Sequence, residues 1–183
     1  MAKEKEATSA ELAILSILAE RPMHGYGLEQ IIQGRNMREW TQIGFSSIYY
    51  ILNKLMKLRW VEKTIDPGKS EGPPRQIYRL TEKGRRKWKD GILKALSTPE
   101  QFDNRFQLAL SNIGNLDKRE VVEALIRYQK ALLAIQENVG RRFDAQAAHL
   151  PPHVAGMFEL SQRKLQVELN WLSEFIPQMQ DPG

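Results

Sequence analysis

A chain of 183 residues is long enough to bury a real core, as one domain or as two small ones. It contains no cysteine, which excludes disulfides, thiolate metal sites and thiol nucleophiles. The net charge of +5 is unevenly spread: residues 1–98 hold 18 Lys+Arg against 11 Asp+Glu, residues 99–183 hold 9 against 11, so only the basic half suits an anionic partner. The first helix is predicted to start at Thr8 or Ser9 as N-cap, with Glu11 placed to assist. Leu12, Ile14, Leu15, Ile17 and Leu18 make it largely apolar, and Arg21-Pro22 stops it. In the following HGYG turn, Gly25 and Gly27 surround Tyr26, and Leu28, Ile31 and Ile32 give a short second helix that closes near Gly34.

The third helix falls in Gly44 to Trp60, GFSSIYYILNKLMKLRW, where Ile48, Ile51, Leu52, Leu55 and Leu58 form one apolar stripe. Ser47, Tyr50, Lys54 and Lys57, with Ser46, Tyr49 and Asn53 alongside, make the opposite face. No carboxylate occurs from Thr41 through Val61, whereas a solvated helix normally mixes both signs. A face that donates hydrogen bonds and carries only positive charge suits a polyanion. Ser46 or Ser47 can cap the helix start and leave backbone N–H groups there for a phosphate oxygen.

After Trp60 the period changes. Val61, Lys63 and Ile65 alternate with polar neighbours, DPGKSEGPP supplies turn residues, and Gln76 to Leu80 alternates again, which predicts a two-stranded hairpin. Its tip carries Lys69 and Arg75, within reach of phosphate or a minor groove. Thr81 then caps a helix with Glu82 in its first turn, running through Leu96. Three helices, a hairpin and a helix are the order of a winged helix-turn-helix, placed here at residues 1–98.

Three blocks of this half, ILSILAERPMHGYGL, SSIYYILNKL and GPPRQIYRLTEKGRR, resemble in order the PadR family of transcriptional regulators. The resemblance implies a winged-helix DNA-binding domain, a dimer, and usually repression that a small molecule relieves. On this likeness Tyr49 is the tyrosine of the recognition helix, and Gly72, Pro73 or Pro74, and Arg75 form the wing tip. Tyr78, Leu80, Thr81 and Gly84 match the junction after the wing. Tyr50 stands where the family often has proline, and Arg59 where it often has glycine before the first wing strand.

Residues 99–183 read as helical. Thr98-Pro99 separates them from the basic half, and Phe102, Phe106, Leu108, Leu110 and Ile113 suggest a short helix ending at Gly114. Asp117 caps a long helix in which Val121, Leu125, Tyr128, Leu132, Ile135 and Val139 repeat by four and three, a coiled-coil spacing. Leu150-Pro151-Pro152 breaks the chain before a last helix from about Val154 to Ile176. That helix has two apolar rows: Phe158, Leu165, Leu169, Leu172 and Ile176, and Met157, Leu160, Val167 and Trp171. One row closes a helical hairpin; the other needs the winged helix or a second subunit, and the second subunit is favoured. The layout is similar to PadR regulators whose C-terminal helices dimerise, and the expected dimerisation residues are Val121, Leu125, Tyr128, Leu132, Leu165, Leu169, Trp171, Leu172 and Ile176.

The fold class expected is mainly α with a small β-hairpin, a winged helix-turn-helix followed by a helical dimerisation domain. No catalytic constellation emerges: there is no GxxxxGK loop and no Ser/His/Asp elbow, and His24 belongs to the HGYG turn. His149 and His153 have the i, i+4 spacing of a metal pair, but Pro151 and Pro152 interrupt it, so no metal and no cofactor is expected. Trp40, Trp60, Trp88 and Trp171 are read as core and interface residues, some of which can line a cavity for an aromatic or phenolic effector. No apolar run approaches the roughly 18 residues of a membrane helix, and MAKEKEATS lacks a signal-peptide core, so a cytoplasmic protein is expected.

The expectation is therefore an enzymatically inactive homodimeric regulator, a repressor, on a pseudo-palindromic double-stranded DNA operator. A winged-helix protein-interaction module or an activator is the alternative. Ser46, Ser47, Tyr50 and Asn53 are assigned to base edges or adjacent phosphates, with Asn53 reading adenine. Tyr49, Lys54, Lys57, Lys63, Lys69 and Arg75 are assigned to the backbone, so that Lys54→Ala should weaken all sites alike.

Overall fold

The computed structural model describes residues 6–41, 43–44, 47–65, 76–99 and 105–180. The chain divides into two compact units, Met1–Gln101 and Phe102–Gly183.

In the first unit, α1 (Ser9–Glu20) starts at a capping box: Thr8 Oγ1 accepts the Glu11 N–H at 3.3 Å, and Glu11 Oε2 accepts the Thr8 N–H at 2.8 Å. β1 (Met23–His24) leads into α2 (Gly25–Gly34), and after a 3-10 turn at Met37–Glu39 comes α3 (Ser47–Lys57). β2 (Val61–Ile65), β3 (Gln76–Leu80) and α4 (Glu82–Ser97) complete the unit. Ile14, Leu15, Ile17 and Leu18 of α1, Leu28 and Ile32 of α2, and Ile48, Leu52 and Leu55 of α3 share one core with Trp60, Val61 and Tyr78.

The expected two-stranded hairpin is corrected in one respect: the sheet has three strands, ordered β1-β3-β2 and antiparallel throughout. Met23 pairs with Tyr78 and His24 with Ile77, while Val61, Lys63 and Ile65 pair with Leu80, Tyr78 and Gln76. A two-residue strand shows no alternation, so nothing in the local pattern announces β1.

The end of α3 shows why glycine would suit position 59. Arg59 has φ +59°, in the left-handed region. Trp60 N–H donates to the Leu55 carbonyl and Arg59 N–H to that of Met56, both at 2.9 Å, which is a Schellman motif with Arg59 at the left-handed position. Lys83 Nζ adds a donor to the Leu58 carbonyl at 3.3 Å. A side chain with a Cβ is disfavoured at that φ, so Arg59→Gly should stabilise the unit by about 0.5–1 kcal/mol, less than the full conformational penalty because glycine also loosens the unfolded chain. A higher denaturation midpoint in urea is the expected result; an unchanged or lower one would show that the Arg59 side chain makes an offsetting contact.

In the second unit, α5 (Arg105–Leu110) and a 3-10 turn at Ile113–Asn115 precede α6 (Lys118–Asp144), whose N-cap Asp117 accepts from the N–H groups of Arg119 and Glu120. The 3-10 turn Ala147–His149 joins it to α7 (Pro152–Gln180). The two long helices run antiparallel: Phe143 meets Phe158 with ring centroids 5.7 Å apart, Gln136 bonds Gln166 at 2.9 Å, and Tyr128 donates to Glu168 at 2.7 Å. Burial and the bond to Glu168 push the Tyr128 hydroxyl up to about 12.

The two rows of α7 separate as expected, and the structure shows which faces inward. Val121, Leu125, Leu132, Leu169, Leu172 and Ile176 form the core of the hairpin within one chain, with Tyr128 and Leu165 packed against it. Trp171 apart, the residues expected to meet a second subunit pack within the hairpin of one chain. Of the expected set only Trp171 also belongs to the outer row, where Met157, Leu160, Val167 and Trp171 are 40, 54, 70 and 37% exposed. A four-three repeat requires a partner helix but does not say whether that helix is its own chain's.

Candidate nucleic-acid interface

The amphipathic pattern of α3 sets the geometry. Ile48, Ile51, Leu52 and Leu55 are buried, while Tyr49 and Tyr50 are 60 and 69% exposed and Asn53 and Lys57 are also exposed. Tyr50, Asn53 and Lys57 stand at i, i+3 and i+7, so they form one outward row. None of these residues is acidic, as the sequence indicated.

Tyr49 sits beside that row, against α2. A Cβ on Gly25 would lie 2.8 Å from Tyr49 Cε1 and 3.0 Å from its hydroxyl oxygen. The first glycine of HGYG is therefore the gap that admits the Tyr49 ring. Beneath it, Tyr78 is 6% exposed, and burial together with the nearby Tyr49 phenol raises the pKa of its hydroxyl. His24 Nδ1 lies 3.0 Å from the Gln76 carbonyl oxygen, a hydrogen bond in the tautomer that carries the proton on Nδ1. The loop before α2, the recognition helix and the returning wing strand thus meet at this corner.

Lys54 is held by an ion pair to the first helix. Its ammonium lies 2.5 Å from Glu11 Oε1, and the Glu11 side chain is only 1% exposed. Burial alone would raise the Glu11 carboxyl, but Lys54 and the Thr8 amide outweigh it and hold the group below the usual carboxylate range. Leaving Glu11 for a DNA phosphate would strand a buried charge, which costs more than one surface phosphate contact returns. This pairing sets Lys54 apart from Lys57, which stands exposed on the same helix. The sequence pattern around Lys54 gives no sign of this, because its partner lies 43 residues earlier and was legible there only as a capping residue.

Lys63 is exposed on β2. Ser46, Lys69, Gly72, Pro73, Pro74 and Arg75 lie outside the described residues, as does the side chain of Ser47. His149 ends the last 3-10 turn and His153 lies in the first turn of α7; among the described residues no group of three His, Asp or Glu side chains could hold a metal ion. Among those residues, too, no helix is long and apolar enough to cross a membrane.

The four tryptophans fall in four settings. Trp60 is buried in the first core, Trp88 Nε1 donates to Ser16 Oγ at 3.1 Å, Trp40 is exposed, and Trp171 stacks on Phe175 with centroids 4.6 Å apart. An open groove of about 330 Å³ runs between the start of α1 and α4, lined by Ser9, Leu12, Lys87, Asp90, Lys94 and others, with no tryptophan in its wall.

A third helix with a buried stripe and a carboxylate-free outer row, backed by a three-stranded wing, defines a winged helix-turn-helix of the DNA-binding class. Residues 14–90 match the model of the transcriptional regulator PadR-like family. Residues 14–90 thus form a PadR-like domain, and the family that model describes is one of transcriptional regulators. Among curated proteins none matches it in sequence. Solved structures with the same fold include Bacillus subtilis PadR in complex with p-coumaric acid, 17% identical, TM-score 0.75, covering 94% of this chain and 99% of that one. The same protein in complex with operator DNA is 17% identical with TM-score 0.71, covering 92 and 98%. Streptococcus mutans smu.1604c is 18% identical with TM-score 0.66, covering 93 and 99%.

Proposed function

We propose that this chain is a homodimeric repressor that reads a pseudo-palindromic operator through α3 and is released by a small aromatic or phenolic effector. The observation that carries the reading is the exposed Tyr50, Asn53, Lys57 row, held outward by a fully apolar inner stripe. Two copies of α3 enter successive major grooves about 34 Å apart. Asn53 pairs with an adenine edge, Tyr50 and the serines at the helix start lie beside it, and Tyr49, Lys57, Lys63, Lys69 and Arg75 hold the backbone. The B. subtilis PadR structures with operator DNA and with p-coumaric acid support both kinds of ligand as readings for this chain.

The test is fluorescence anisotropy on the duplex upstream of the protein's own gene, beside a scrambled duplex, at several salt concentrations. Binding about a thousandfold tighter to the first, with a steep salt dependence, is expected. Asn53→Ala should reduce that ratio by about 1–3 kcal/mol while sparing affinity for the scramble; a uniform loss on both duplexes would reject base reading by Asn53. Addition of p-coumaric acid as probe should release the specific complex. Weak, equal binding to both duplexes would favour a protein-docking winged helix instead.

The outer row of α7 supports the dimer. Val167, Leu160 and Trp171, with Leu133 and Ile135 of α6 each 50% exposed, are apolar surface that a soluble monomer rarely leaves open. Val167→Lys should leave the fold intact and shift sedimentation from dimer toward monomer. An unchanged dimer would place the interface elsewhere.

A further inference from the structure

We infer that Glu11 is a positioning residue for DNA binding: from inside the core it removes the charge of Lys54 from the recognition face and fixes the rotation of α3 about its axis. The inference rests on the DNA-binding reading above. Glu11 cannot follow Lys54 outward, because its other oxygen, Oε2, accepts the Thr8 N–H at 2.8 Å in the cap of α1. One buried carboxylate thus joins the start of α1 to the middle of α3. The apolar stripe of Ile48, Ile51, Leu52 and Leu55 resists withdrawal of α3 into solvent, but contacts among aliphatic chains are non-directional and tolerate a small roll. The ion pair to a buried carboxylate on the flank of the helix adds a directional tether that opposes such a roll. Lys54 neighbours Asn53 in the chain and follows Tyr50 by one turn, so a roll that broke the pair would carry both off the outward row.

The charge consequence is separate. A pair of opposite charges held together adds almost nothing to the release of counterions from DNA, whereas each cation placed on a phosphate contributes about 0.9 to the slope of log affinity against log salt. Although Lys54 lies on a basic helix, it should be silent in that slope, while Lys57, exposed one turn further on, should count.

The experiment measures this slope on a short duplex of random sequence for the parent, Lys57→Ala, Glu11→Gln and the double variant Glu11→Gln/Lys54→Met. The double variant removes both charges and strands neither, so it keeps the core neutral and tests the idea even where a single variant folds poorly. Its slope should equal the parent's, while Lys57→Ala should lose about 0.9 for each contact removed. Glu11→Gln, which releases Lys54 toward solvent, should raise the slope by a similar amount and tighten binding to random DNA. A double variant that loses as much slope as Lys57→Ala would show Lys54 on a phosphate and overturn the proposal, with the DNA-binding reading left standing. So would a Glu11→Gln slope equal to the parent's. A parent that binds no duplex at low salt overturns both.

Discussion

Gly84→Ala should cost more than about 3 kcal/mol, enough to lower the melting temperature of the first unit by more than roughly 12 °C. A Cβ on Gly84 would lie 1.8 Å from the Trp60 carbonyl oxygen and 2.7 Å from its carbon. Both atoms are backbone, so no side chain can rotate away. The surrounding bonds leave little room for the chain itself to shift: Thr81 N–H donates to the Trp60 carbonyl at 3.1 Å, Thr81 Oγ1 donates to that of Arg59 at 2.7 Å, and Gly84 N–H donates to Thr81 Oγ1 at 2.9 Å. Thr81 thus caps α4 and ties it to the turn that ends α3. Thermal unfolding followed by circular dichroism checks the effect, and a melting temperature within two or three degrees of the parent's would refute the close approach.

Lys54→Ala should destabilise the same unit by about 2–3 kcal/mol at neutral pH, below the full cost of breaking a buried pair because Lys54 retains some solvent contact. The pH dependence identifies the cause. In the parent the folded Glu11 carboxyl titrates below its ordinary value of 4.5, so its contribution is complete above that value and is lost as pH falls through the lower folded one. Without Lys54, burial pushes the carboxyl up against only the backbone and side-chain hydrogen bonds of Thr8, so the carboxyl titrates higher than in the parent. The penalty of the variant is therefore greatest near neutrality and shrinks as acid protonates Glu11. Urea unfolding at pH 7 and pH 4 measures it; an equal penalty at both would mean that the Lys54 stem, rather than its charge, matters.

These residues show what a linear reading can reach. The capping box of Thr8 and Glu11 was legible because its partners are three residues apart, and the rotation of α3 was legible because its apolar stripe has only one face to bury. The pairing of Glu11 with Lys54, and the passage of Gly84 over the Trp60 carbonyl, depend on elements brought together by tertiary packing and leave no local pattern. At Gly84 the sequence offers a family resemblance without the steric reason. The rows of α7 mark the same boundary: periodicity divided Leu172 from Trp171 correctly, but which row meets α6 depends on the shape of the neighbouring helix.

The sheet also bears on how copies of this protein can meet. Its two outer strands are β1 and β2, with β3 between them. β1 offers only two residues of main chain, too few to template an incoming segment, and β2 carries Glu62 and Lys63 exposed along its length, with Arg79 of β3 bonded to Glu62 at 2.7 Å. Short or charged borders of this kind discourage edge-to-edge growth into ribbons and fibrils. Edge-to-edge pairing of the sheet is thereby disfavoured, and loss of solubility in variants should be traced first to the exposed apolar residues of α6 and α7, such as Leu133, Ile135, Leu160 and Val167.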